Sequence, residues 1–443
     1  MDKFSKLRGK FGNKSFFFIT TDIKRAIGLE DIIPDFHIIC SNYDPLIPVL
    51  RNKGTRIYCL EELKGKKADH TNNSGLLISD ESVEKYIRKN SSDRPYIVYF
   101  KPSLIIDRII SAKKYISVGN TLALNNRFEN KINMALILKK IRPDYIQEFA
   151  VGKFNDLDFT DILRQFGLPL VVQFGHGWAG RTTFFIESED GFIKLKKQFP
   201  HTTVKITANI TGFTLLNNCC IYRDNILVSP PAIQIDGINK LSVSKSVTCG
   251  RSWPVQNLTG DLILQIYRIS RDIGRIMSDS GYRGYFGVDF LVEISSGRLF
   301  LSEVNARLTA SSAFFSLLEM GLDQIPLLAF HYASFLSIDL PVSGHPFISI
   351  HKDKSVSGSQ VIIRRKDTIN SMNIKKFGEY RIIGKSARLL NTDYAPQRLK
   401  KNRFIFLPRI NGYGSEFARI ESKDKALKKP GELAGWVKNL LEG

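Results

Sequence analysis

At 443 residues, with 43% hydrophobic and 24% charged side chains, the chain is long enough for roughly two to four domains and has the composition of a soluble globular protein. No stretch approaches the ~18 continuous apolar residues of a membrane helix, which excludes a helical membrane protein. The formal charge of +21 is local, since about half of the excess falls between Val361 and Ile410, so it fits either a solvated basic face or contact with nucleotides, nucleic acid or an anionic surface.

The chain opens on MDKFSKLRGKFGNKSFFFITTD, basic and then apolar. The apolar part is shorter than the ~7 residues of a secretion signal and no small-residue cleavage site follows, so it reads as a buried first strand. The five cysteines, Cys40, Cys59, Cys219, Cys220 and Cys249, are odd in number and lack CxxC spacing, which points to a reducing cytoplasm. Short runs rich in aromatic and β-branched residues follow: SFFFITTD, DFHIICSN, GTRIYCLEEL, RPYIVYF and KKYISVGN, with a helix-compatible SVEKYIRKN among them. This alternation predicts a parallel, Rossmann-like α/β sheet over residues 1–120. No GxGxxG follows the first strand, so the dinucleotide fingerprint is missing.

Residues 125–142 predict one amphipathic helix with Phe128, Ile132, Ala135, Leu136 and Leu138 on its apolar face. Residues 168–186 predict a hairpin around a glycine loop, and residues 204–235 two strands turning at RDN. A long helix over 259–281 has Gly281 as its expected cap. Residues 285–305, YFGVDFLVEISSGRLFLSEVN, read as a hairpin around SSG. The tail carries strands VIIRR, YRIIG and RFIFLPRI and ends in an amphipathic helix, GELAGWVKNLLEG.

The last hairpin carries the chemistry. Period two puts Glu303 and Asn305 on one face of the second strand, and the turn length brings Asp289 of the first strand opposite them. Two carboxylates and an amide oxygen on an apolar sheet are costly without a cation. Hard oxygen ligands suit Mg2+, with Mn2+ as the alternative ion, and disfavour zinc. Arg307 follows at the same period, placed to hold an anionic substrate or a phosphoryl group.

The run GYFGVDFLVEISSGRLFLSEVNARLTASSA resembles the ATP-grasp superfamily, especially its carbamoyl-phosphate synthetase and biotin carboxylase branch, whose metal motif is an acid or amide followed by Glu-x-Asn-x-Arg. Asp289, Glu303 and Asn305 match the metal ligands and Arg307 the catalytic arginine. The resemblance implies an ATP-grasp domain over residues 121–335, its lid at about 146–206. A Rossmann-like domain precedes it, and a basic C-terminal region, 336–443, completes it or is appended to it. It implies further that Lys131 touches ATP phosphates, that GHGWAGR with Gly175, Gly177, Gly180 and Arg181 is the flexible loop over them, and that Arg181 acts in catalysis. Ala208 and Ile210 would present backbone to the adenine, and Gln234 would contact substrate or ribose. Gln173 departs from the pattern, because a lysine or arginine is usual there and an amide cannot neutralise a phosphate.

The activity implied is that of an ATP- and Mg2+-dependent carboxylate-amine ligase, which activates a carboxylate as an acylphosphate and couples it to an amine. The acceptor site is expected from the N-terminal sheet and the loops around Cys249–Trp253 and Thr309–Ser312, with the basic tail as a candidate contact for an anionic substrate or carrier. Two other readings stay open: an ATP-binding protein of this fold without turnover, and a nucleic-acid binder using the basic region. His176, His331, Trp253 and the cysteines read as solvated or packing residues.

Overall fold

The computed structural model describes residues 3–12, 14–65, 73–177, 182–244, 247–255, 257–342, 356–409 and 416–442. Gly180 and Arg181 lie outside the described residues.

β1 (Phe16–Thr20), β2 (Phe36–Cys40), β3 (Arg56–Cys59), β4 (Tyr96–Tyr99) and β5 (Ile116–Val118) form a parallel sheet in the order β3-β2-β1-β4-β5. The unbroken apolar run of β1 follows from burial on both faces, as central parallel strands require. Phe16 and Phe18 enter the core shared with the rest of the molecule, whereas Phe17 and Ile19 pack beneath Leu77, Val83, Ile87 and Ile106 of the flanking helices.

β6 (Ala150–Lys153), β7 (Leu170–Phe174), β8 (Thr183–Ile186) and β9 (Thr203–Ala208) form a separate antiparallel sheet in the order β6-β9-β7-β8. Its own small core centres on Phe154, Ile162, Val172, Phe192 and Ile206.

Eleven further strands build one sheet: β10 (Gly212–Tyr222), β11 (Asn225–Val228), β12 (Ala232–Gln234), β13 (Gly250–Trp253), β14 (Gly284–Glu293), β15 (Leu299–Asn305), β16 (Gly358–Ile363), β17 (Gly378–Ile383), β18 (Ser386–Asn391), β19 (Arg403–Pro408) and β20 (Ala418–Ser422). The path runs β15-β14-β10-β12-β13-β16-β20-β19-β17-β18, with β11 paired to β10. One face packs Leu215, Cys219, Phe286, Val288 and Phe290 against the helix Gly260–Asp279. The other packs Leu216, Cys220, Tyr222 and Tyr285 against the helices Ser312–Met320 and Leu327–Leu336 and on to the parallel sheet. The described part of the basic segment, 361–409, therefore continues the main sheet, and its hairpin β17–β18 forms the outer edge.

Three expectations need correction. The helix over 125–142 is two helices, Leu122–Glu129 and Lys131–Ile141, because the Asn130 side chain leaves the helix to accept the N–H groups of Ile132 and Asn133. The final helix begins only at Gly435, since Glu432–Leu433 pairs with Leu427–Lys429. Residues 250–253 are not a loop but the buried strand β13.

Two side chains join the parallel sheet to the main one. Asn120 donates to Arg283 O at 2.7 Å and accepts from Arg283 N at 3.2 Å. His331 accepts the Tyr285 N–H at its Nδ1, 2.9 Å away, and its Nε2 faces Val118 O at 3.3 Å. Gly284, at φ +78°, permits this, since a Cβ there would stand 2.4 Å from His331 Nδ1. His331 is thus a hydrogen-bonded joint rather than passive packing.

Burial depresses the imidazole pKa from 6.5 to about 3, offset in part by Val118 O. The folded chain keeps His331 neutral while the unfolded chain takes up a proton below 6.5, so its contribution to stability is full above that pH and drains as pH falls toward 3. The expected slope is about 1.4 kcal/mol per pH unit below the unfolded pKa. Urea midpoints at pH 7.5 and 5.0 check this: the acid-induced loss should be smaller in His331→Gln, and an unchanged pH dependence would refute the assignment.

Candidate functional site

The hairpin β14–β15 is bulged. Phe290 pairs with Leu301 but Asp289 pairs with Glu303, so Ser302 is the extra residue on β15. Without the bulge, Ser302 would oppose Asp289 and Glu303 would turn to the other face. With it, Asp289, Glu303 and Asn305 share the face that looks toward the N-terminal sheet. Asn305 donates to Asp289 Oδ2 at 3.1 Å. Burial first, and the Glu303 carboxylate second, raise the Asp289 pKa above the ordinary carboxylate range.

Lys131 reaches this pair from the first turn of the helix Lys131–Ile141, and its ammonium forms an ion pair with Glu303. Its backbone N–H donates to Gly175 O at 2.8 Å, which ties the end of β7 to the same corner. A Cβ would lie 2.7 Å from the Asn130 amide at Gly175 and 1.6 Å from Thr182 Oγ1 at Gly177, so a side chain at either position would displace that neighbour.

Arg307 is held rather than free. Its Nε donates to Glu129 Oε1 at 3.0 Å, its Nη2 to Asn305 Oδ1 at 2.7 Å and its Nη1 to Leu308 O at 3.2 Å. Glu129 also receives Lys101 at 2.9 Å and the Asn125 amide. Burial pushes the Glu129 carboxyl up, but Arg307 and Lys101 outweigh it and keep it below its ordinary pKa. Arg25 lies 4.0 Å and Arg307 5.3 Å from the centroid of the Phe100 ring. Arg251 of β13 is 4% exposed, and its Nε and Nη1 have no hydrogen-bond partner among the described residues.

The other expected residues stand farther from this cluster's bonds. Gln173 faces Thr183 across β7–β8 and donates to its hydroxyl at 3.4 Å. Ala208 ends β9 with its carbonyl accepting from Gln147 at 3.4 Å, and Ile210 lies in the short link to β10. Gln234 donates to Asp236 Oδ2 at 2.7 Å and is opposed by Arg251. Thr309 and Ser311 both donate to Asn218 Oδ1 at 2.8 Å, so their hydroxyls brace the main sheet.

Sequence reasoning missed Glu129, Arg25, Arg251 and Lys205. Glu129 sits two positions before Lys131, where an acid ending a helix is unremarked. Lys205 does carry a signal, as a lone cation in the strand run TVKITA. Among the described residues no group of three or more His, Cys, Asp or Glu side chains is disposed to hold a metal. Asp289 and Glu303 are two opposed, half-buried carboxylates, oxygen donors that fit a hard cation, while Asn305 beside them turns its N–H to Asp289 and its oxygen to Arg307.

No family model matches the chain, and no curated protein does. Solved structures do match along nearly its whole length. A carboxyaminoimidazole ribonucleotide synthase from Aspergillus clavatus, complexed with ATP, is 10% identical with a TM-score of 0.57, covering 97% of each chain. A biotin carboxylase ATP complex from Campylobacter jejuni is 13% identical at a TM-score of 0.62, covering 94% of this chain and 89% of that one. The biotin carboxylase domain of the Hydrogenobacter thermophilus 2-oxoglutarate carboxylase, with MgADP, ADP and bicarbonate, is 11% identical at 0.59, covering 93% and 86%. With its parallel sheet, small antiparallel sheet and broad sheet carrying the acidic hairpin, the chain has the ATP-grasp fold that it shares with these enzymes.

Proposed function

We propose that this chain is an ATP-dependent, ADP-forming ligase that joins a carboxylate to an amine. The observation that carries the reading is the half-buried opposition of Asp289 and Glu303 on the bulged hairpin, with Lys131 paired to Glu303 and Asn305 bridging to Arg307. An acidic face of this kind repels phosphate unless a cation intervenes. Asp289, Glu303 and Asn305 would hold Mg2+, which supplies charge neutralisation for the phosphates of ATP. The solved neighbours in complex with ATP, ADP and MgADP support the same reading.

The chain's own groups then position and neutralise. Lys131 exchanges Glu303 for nucleotide phosphate, and Gly175 and Gly177 leave backbone free to approach it. Arg307, oriented by Glu129, faces the reacting carboxylate, with Arg25 and Arg251 adding positive charge for an anionic substrate. The substrate carboxylate attacks the γ-phosphorus and ADP leaves. The amine then attacks the acylphosphate carbonyl, phosphate leaves, and the amine loses its proton. Exclusion of water protects the acylphosphate from hydrolysis. Ala208 and Ile210 remain the backbone candidates for the adenine and Gln234 for ribose or substrate; Arg181 and Gly180 complete the proposed loop. Five free, buried cysteines among the described residues support a cytoplasmic setting.

A screen of carboxylate and amine pools that follows ADP formation tests the proposal. Glu303→Ala should lower turnover by about a hundredfold or more; equal ADP release from both proteins would sink the mechanism, and tight ATP binding without ADP release would favour a non-ligating nucleotide binder. Glu129→Gln should cut kcat by about tenfold through a misplaced Arg307 while ATP affinity stays within about twofold, a split read from kcat and a nucleotide titration. Arg381, Lys385 and Arg388 stand exposed on the β17–β18 edge, so neutralising all three should raise KM for an anionic substrate or carrier and leave KM for ATP unchanged.

A further inference from the structure

Lys205, like Arg251, is a cation of the cleft whose described protein surroundings do not account for its charge. It stands on β9 directly across from Gln173 of β7, so the two side chains leave the same face of the four-stranded sheet. Val204 and Ile206 on either side of it point the other way, into that sheet's core. The backbone bond from Lys131 to Gly175 brings this face against the first turn of the helix Lys131–Ile141.

Two ammonium groups, Lys131 and Lys205, therefore share one corner, and of the two hairpin carboxylates the one that acts on Lys205, Glu303, is already bonded to Lys131. No hydrogen bond or ion pair engages Lys205 among the described residues. Burial, and after it the repulsion of Lys131, lower its pKa to about 8, with Glu303 offsetting only part. Lys205 is half-buried, and a half-buried cation without a counterion costs stability, so folds keep such groups where a ligand supplies the missing charge. Gln173 supplies none, since an amide is neutral.

We propose that Lys205 is a ligand for the β- and γ-phosphates of ATP, delivering from β9 the positive charge that Gln173 does not bring from β7. This rests on the ATP-site reading above and adds to it a residue that nothing else assigns. The acidic hairpin meets Lys205 through Lys131 and Glu303, so the contact falls at the metal end of the nucleotide rather than at the adenine.

The test uses the full chain and four proteins: parent, Lys205→Gln, Lys131→Gln and the exchange Gln173→Lys/Lys205→Gln. Each is titrated with Mg·ATP, with AMP by competition, and melted without nucleotide. Loss of one charge-assisted contact predicts that Lys205→Gln binds Mg·ATP about tenfold or more weakly. AMP affinity should stay within about twofold, the nucleotide-free melting temperature should not fall, and the exchange should recover most of the lost affinity. Parental ATP affinity in Lys205→Gln, alongside a loss in Lys131→Gln, would overturn the proposal. So would a lower melting temperature with ATP and AMP weakened alike, because that is the signature of a structural lysine. A parent that binds no Mg·ATP would instead overturn the ATP-site reading itself, and this inference with it.

Discussion

The direct opposition of Asp289 and Glu303 is the constraint around which the rest of this molecule is arranged. Like charges across a strand pair are destabilising, and burial makes them more so. The surroundings answer with positive charge from three directions. Lys131 comes from a helix N-terminus, Arg307 from the end of β15 through Asn305, and Arg251 from β13 on the same face. None of these elements is adjacent to another in sequence, so the acidic pair is tolerable only in the assembled fold.

Glu129 transmits that constraint to the N-terminal sheet. Its carboxylate accepts Arg307 from the main sheet and Lys101 from the end of β4, while Asn125 in the same helix donates both to Glu129 and to Ala306 O. The parallel sheet is fixed against the main one by the paired amide bonds of Asn120 and by His331. Neutral hydrogen bonds at Asn120 and His331 thus act beside charged links, Lys101–Glu129–Arg307 at the cleft and Lys53–Asp393 away from it. A buried polar joint is stable only when its donors and acceptors are matched.

Much of this was legible from local pattern. The hairpin, the long helix over 260–279, the parallel sheet and the strand pair flanking the glycine loop all follow from periodicity and turn chemistry, which depend on neighbours in sequence. Asp289, Glu303 and Asn305 could be named because polar oxygen donors within an apolar hairpin violate a local rule, and Arg307 because it continues their period, whereas Lys131 could be named only through the family resemblance. The break at Asn130 was missed because the apolar stripe continues on both sides of it, while a single side-chain cap decides the backbone.

What the sequence by itself determined is therefore the set of elements and the acidic signature, because both are written in period and residue type. Only the tertiary structure decided that Ser302 bulges and turns Glu303 toward Asp289, although the apolar positions Leu299, Leu301 and Val304 change parity at that point. It alone put Glu129 beneath Arg307, and Lys205 beside Lys131. Those pairings join residues far apart in the chain, and their energies depend on distance and burial in the folded state, which no local pattern encodes.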